Sequence, residues 1–400
     1  MSSANEGAGG GLQMVAARWR SAHYTLFFVR GTGTMPRLLV QALFPQLMAA
    51  GAFGPQAAGL IMMGQSATAI AVILLFPAIV RLVSLNALIL TGGLLSASGI
   101  AGVALDPRPW SMAIAFSLVG GMGWALFSLR TPQEAANLLP AEGWPRNMAA
   151  ITRGPLIASL VVPTLALGLS AAIDWRWILS GTAFLLLVGA VVGFIALSGL
   201  KSPPHVRHTE SISRCAQTTL VPAMSMCLSG YIAGLFHTHL IIIASSGGRS
   251  TPDLMLWSAA YGVLTVVAVS LWTIAIKRSR LSASLMILAG IAAAAGVLTA
   301  STPSSSGSLT VGILWSVLSV GLYMDAMRTT AASSHMRTRV TGILIILHMA
   351  CASAGALVSG VVAEAGGSYS GALYLLSLLS IIYGMSRALF VSVSARSSHP

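Results

Sequence analysis

Apolar residues in this chain come in long unbroken runs and not in alternation. From Tyr24 to Ser392, runs near 20 residues recur, divided by short segments rich in Arg, Pro, Gly and Ser. About 20 apolar residues carry a helix across the hydrocarbon core, and such a helix satisfies its own backbone polar groups. A transmembrane barrel would instead show alternating segments of about ten residues. The pattern therefore predicts an all-α membrane protein with twelve spans, at 24–50, 57–80, 87–105, 110–129, 148–169, 177–197, 220–245, 254–276, 281–300, 309–327, 340–362 and 369–393.

The one long polar interruption divides these spans six and six. Ser198 to Gln217 holds Lys201, Pro203, Pro204 and several histidines. The expected organisation is a loose tail at 1–22, a six-helix bundle at 23–200, a linker at 201–217 and a second six-helix bundle at 218–400. Residues 1–22 are Gly-rich and polar and end in Arg18 and Arg20, without the short apolar core of a cleavable signal.

The two halves read as diverged copies. Arg130, a polar loop and Arg146-Asn147-Met148 follow the fourth span. Asp325, Arg328, a polar loop and Arg339-Val340-Thr341 follow the tenth. Leu43-Phe44-Pro45 in the first span matches Leu235-Phe236-His237 in the seventh. Parallel repeats of this kind, with a site at their interface, are a secondary-transporter architecture.

Composition agrees. The 400 residues are 56% hydrophobic and 8% charged, with mean hydropathy +0.84, whereas soluble domains carry about 25% charged residues. The net charge of +13 is explained by orientation. With both termini inside, most basic residues fall in inner loops, and the outer loops hold only Arg108, Arg176 and Arg249. These charges are spread over many segments and form no single patch, so nucleic acid is not a partner. Cys215, Cys227 and Cys351 are far apart, and no metal-binding spacing occurs. No HExxH, P-loop or supported Ser/His/Asp set is present, so neither catalysis nor ATP-driven transport is expected. No cofactor is implied.

At this point the chain resembles the major facilitator superfamily over roughly residues 22–393. The strongest element is Asp174-Trp175-Arg176-Trp177-Ile178, similar to the signature where the fifth helix passes to the sixth. Gly154-Pro155 resembles a shortened exporter motif. Of the loop signature after the second helix only Arg81 is kept, and Trp110-Ser111-Met112 stands where the fourth helix would begin with arginine. A narrower similarity, to a YbfB/YjiJ-like branch, rests on Gly230-Tyr231-Ile232, Trp257, Gly262 and Trp272. The resemblance implies a monomeric secondary transporter of a bacterial inner membrane, with helices 1, 4, 7 and 10 around a central cavity. A non-transporting sensor and a membrane-embedded enzyme are the alternatives from other classes.

Candidate site residues are those whose polarity conflicts with a membrane span. His23, Arg30 and Arg37 are spaced by seven, and seven residues turn a helix by about 700°, so they share one stripe. Arg37 falls near mid-membrane, where an arginine costs at least about 2.5 kcal/mol unless it faces a cavity or a partner. A guanidinium fork matches a carboxylate, so Arg37 and Arg30 are expected to bind substrate; the structural alternative is an ion pair or hydrogen bonds to carbonyls. Tyr231, Tyr261 and Tyr323 carry hydroxyls that substrate could use, or pack as ordinary aromatics. His237 is a substrate-binding candidate. His239, His348 and Asp325 are candidates for coupling or gating, a proton being the natural coupling ion. Asp325, the one acidic residue placed inside a span, could otherwise pair with Arg328 or contact the loop arginines. Glu364 is expected to be solvated just past helix eleven, and Arg153 to snorkel. Gly31-Thr32-Gly33 could loosen helix one. The favoured substrate is a small organic anion, such as a carboxylate-bearing metabolite or a siderophore; the alternative within the family is multidrug efflux.

Overall fold

The computed structural model describes residues 5–138, 144–198, 216–277, 281–331 and 337–397. The linker at 201–217 lies almost wholly outside these. Twelve long helices account for the described chain. In the first half they are α1 (Asn5–Gly51), α2 (Pro55–Leu82), α3 (Leu85–Leu105), α4 (109–138), α5 (Trp144–Ser170) and α6 (Trp175–Ala196). In the second half they are α7 (Ala216–Ser246), α8 (Thr251–Lys277), α9 (Leu281–Thr299), α10 (Ser306–Ala331), α11 (Arg337–Gly366) and α12 (Ser370–Ser397).

Eleven helices are long and apolar enough to cross a membrane unaided. The remaining one is α1, because Arg30, Arg37 and Gln41 interrupt its apolar surface. It is stabilised by its neighbours, for Leu26, Val29, Val40, Leu43 and Phe44 are fully buried. The tail expected to be loose is helical from Asn5; Gln13 to Arg20 are mostly good helix formers and extend α1 towards its N-terminus. On the perimeter Leu74, Phe184, Ile195, Ile287 and Met385 are largely exposed, the arrangement a lipid-facing surface requires.

The helices form two six-helix bundles. In the first, α1 packs on α4, α5 and α6, and α3 packs on α6 and α4. In the second, α7 packs on α10, α11 and α12, and α9 packs on α12 and α10. The main contacts between halves are α2 with α11, α8 with α5, and α1 with α7. Exchanging each helix for its counterpart six places along maps this contact set onto itself, the signature of a pseudo-twofold axis between the halves.

Glycines set how closely these helices approach. A β-carbon on Gly234 would overlap the Ala352 carbonyl oxygen, and one on Gly230 that of His348, so α7 and α11 meet backbone to backbone. Gly31 and Gly154 do the same for α1 and α5. Helix α1 is unbroken at Gly31-Thr32-Gly33, so these glycines serve packing and leave the helix regular. Gly234→Ala should lower stability by about 1–3 kcal/mol through overpacking. Gly290→Ala, with open space at its β-position, should be neutral or stabilise by up to about 1 kcal/mol. Thermal unfolding of the two variants in detergent checks the contrast.

The Asp174-Trp175-Arg176 element starts α6. The Asp174 carboxylate accepts from the Arg176 backbone N–H at 2.8 Å, and the Arg176 guanidinium lies 4.6 Å from the centre of the Trp175 ring. This signature is therefore a helix cap and a turn lock. In α4 the stretches Ala113–Gly120 and Ala125–Arg130 adopt wide π-helical turns. They bracket Trp124, a residue of the central cavity, and such turns recur at functional sites.

Candidate functional site

Between the halves lies a cavity of about 360 Å³. It runs from mid-helix towards the face that carries both termini. At the opposite face it is shut by close contacts of the two equivalent helix pairs. Gly59 meets Ala356 and Leu357, Gly360 meets Pro55 and Gln56, and Gly168 meets Met255. Glu364 is exposed, as expected, but sits in the last turn of α11, and it accepts a hydrogen bond from the Gln56 backbone N–H at 3.0 Å, joining α11 to the start of α2. A small extension of about 50 Å³ beyond Gln41, His237 and Tyr261 ends against Phe236 and Leu240.

Helix α1 supplies one wall. Arg30, Thr34, Arg37, Leu38 and Gln41 all line the cavity, as the seven-residue stripe requires; His23, at the start of the stripe, lies outside the lining. The Arg37 guanidinium donates to Gln65 Oε1 at 3.3 Å and Ser66 Oγ at 3.1 Å, both on α2. Its carbon stands 4.8 Å from the centre of the Trp124 ring on α4. Arg30 donates to the Ser128 carbonyl oxygen and, at 3.4 Å, to the Ser128 hydroxyl. A third guanidinium, Arg130, lies near the cavity mouth. It donates to Gln133 Oε1 at 3.4 Å and sits 5.1 Å from the centre of the Phe76 ring.

Arg30 and Arg37 are thus held by neutral groups, Arg130 lies within the field of the Glu134 carboxylate one turn on, and no carboxylate lines the cavity among the described residues. Arg30 Nε, Gln41 Nε2, Trp124 Nε1 and Arg130 Nε are buried donors without a partner among the described residues.

The second half contributes His237 on α7, Tyr261 on α8, Tyr323 on α10 and His348 on α11. His237 meets Tyr261 edge to face at 5.5 Å between ring centres, and Tyr323 meets His348 likewise at 5.4 Å. His239 is elsewhere. It is fully buried, donates through Nε2 to the Ala356 carbonyl at 2.8 Å and accepts at Nδ1 from Tyr369 Oη at 2.9 Å. Tyr231 is buried and lines a separate apolar crevice between α7, α11 and α12.

Asp325 is also outside the cavity. It is buried and pairs with Arg387 of α12 at 2.6 Å, where the sequence pointed to Arg328. Arg387 further donates to Tyr383 Oη and to Ser282 Oγ. Arg153 is exposed and does not line the cavity.

Trp124, Arg130, Gln133, Gln41 and Ser66 are cavity residues that the sequence reading did not single out. The positions behind the narrower similarity are packing positions: Gly230 and Gly262 admit neighbouring backbones, and Trp272 donates to the Val317 carbonyl at 2.7 Å.

Two six-helix bundles around a central cavity closed at one face define the major facilitator fold. Known structures bear this out. A bacterial homolog of the human lysosomal transporter Spinster, in an inward-facing and unoccupied conformation, matches with TM-score 0.72 at 10% identity, covering 94% of this chain and 96% of that one. A D-xylose-proton symporter matches with TM-score 0.69 at 13% identity, covering 94% and 97%. The nucleoside transporter NupG, in a point-mutant form, matches with TM-score 0.67 at 13% identity, covering 92% and 98%. No family model and no curated protein matches the sequence.

Proposed function

We propose that this chain is a secondary active transporter that moves a small organic anion by alternating access across a bacterial inner membrane, with both termini cytoplasmic. The observation that carries the reading is the central cavity itself: three guanidiniums in its wall, Arg30 and Arg37 with neutral partners, and no carboxylate among the described lining residues. A cation would be repelled there. Like charges about 4 Å apart at an effective dielectric near 20 cost about 4 kcal/mol. Pairing of Arg37 with Asp325 would have cancelled this argument, and Asp325 is engaged by Arg387 instead. Efflux of cationic drugs is disfavoured for the same reason. A volume of about 360 Å³ is at the small end for ligand pockets and favours a metabolite over a siderophore.

The closed contacts of α2 with α11 and α5 with α8 leave the cavity directed to the terminal side, which the charge asymmetry assigns to the cytoplasm. Proton coupling would fall to His237 or His348, the two histidines that reach the cavity, while His239 is occupied by Tyr369 and Ala356.

The test is uptake into proteoliposomes. Anionic solutes should be transported and cationic ones of equal size should not. Replacing His237 or His348 with Gln should flatten the pH dependence of transport, whereas His239→Gln should leave its shape unchanged. Transport of cations alone would overturn the reading, and full pH dependence in both cavity variants would remove the coupling assignment.

A further inference from the structure

The central cavity has two chemically different faces. All its guanidiniums come from the first half: Arg30 and Arg37 on α1 and Arg130 on α4. The second half adds no arginine or lysine among the described lining residues. It presents instead two edge-to-face ring pairs, His237 with Tyr261 and Tyr323 with His348. Tyr261 and Tyr323 also pack on one side against neighbouring apolar side chains. His237 is exposed and the others half-buried, inside the protein and at the cavity wall. Tyr231, Tyr369, Tyr383 and Trp315 in the same half are buried, while Tyr374, outside the cavity lining, is exposed.

Exposed ring faces and edges discriminate between ligands of equal size. Their quadrupoles favour a flat π-system over a saturated ring. Alternating access also needs a ligand that touches both halves, because a ligand shifts a conformational equilibrium only through differential contacts with the two states. A small aliphatic anion would satisfy the arginines and leave the opposite wall untouched.

We infer that the substrate is a planar aromatic or conjugated carboxylic acid that bridges the halves, its carboxylate on the α1 arginines and its ring against Tyr261 and Tyr323. This rests on the reading of the cavity as an anion site. The Arg37 guanidinium, already covering one face of Trp124, marks the carboxylate end, and the ring pairs mark the other.

Calorimetric titration of the detergent-purified full chain with three probes tests it. Benzoate, cyclohexanecarboxylate and benzylammonium share a size but differ in planarity or charge sign. Benzoate should bind at least about tenfold more tightly than cyclohexanecarboxylate, which corresponds to about 1.4 kcal/mol. Tyr261→Leu combined with Tyr323→Leu should bring that ratio close to one. Equal affinity of the two carboxylates for the unmodified protein would overturn the aromatic class while leaving the anion site standing. Binding of benzylammonium with neither carboxylate would overturn the anion site and this inference with it. A ratio unchanged in the double variant would remove the two tyrosines from the assignment.

Discussion

Replacing Arg37 with alanine should weaken carboxylate binding and raise KM for anion transport by about 10- to 100-fold. The estimate follows from the bond type. A hydrogen bond to a charged group contributes about 1.5–3 kcal/mol, and each 1.4 kcal/mol is a factor of ten. Arg37 has the geometry to supply it: two anchors on α2 hold one nitrogen and Trp124 supports the plane, so the fork is fixed before a ligand arrives. Arg37→Lys should fall between wild type and alanine, because it keeps the charge and loses the bidentate match. The anchors Gln65 and Ser66 are neutral, so alanine strands no charge and the fold should persist. Concentration dependence of uptake by the three proteins checks the order. A KM for Arg37→Ala equal to wild type would exclude Arg37 from the anion site.

The helices and the stripe on α1 were legible because the membrane makes both conspicuous. Hydrocarbon thickness fixes the length of an apolar run, so most predicted spans fall within a few residues of the observed helices. A charge inside such a run must be accounted for, and two at a seven-residue spacing must share a face. What the sequence concealed depends on helices far apart in the chain. Trp124, Arg130 and Gln133 reach the cavity through the way α4 crosses α1 and α2, which no local pattern encodes. Helix α4 also continues past the predicted end at Leu129 to Leu138, since Gln133 and Glu134 end an apolar run without ending a helix. One miss was avoidable. His237 and His239 are two residues apart, which turns a helix by about 200°; only one of them can face the cavity, and it is His237.

The partner of Asp325 shows the same limit more sharply. Local spacing offered Arg328, one turn away, but Arg328 is exposed and the carboxylate is buried against Arg387, sixty-two residues on. Breaking this pair should give the largest loss of stability of any single change considered. Both side chains are more than nine-tenths buried, and removing one partner of a buried pair strands the other charge at a cost of about 3–5 kcal/mol. Among the described residues Arg387 would keep only Tyr383 and Ser282, which supply neutral oxygens. Asp325→Ala should therefore unfold at a clearly lower temperature in detergent. Asp325→Leu combined with Arg387→Met should recover most of the loss, because two apolar residues leave no charge behind. Asp325→Asn separates this structural role from proton coupling. A structural pair predicts lower thermal stability with the pH dependence of transport retained in whatever protein folds. A coupling carboxylate predicts near-normal stability, solute exchange intact and accumulation against a proton gradient lost. Unfolding temperatures of Asp325→Ala and the double variant that are both equal to wild type would show that the pair contributes nothing to the fold.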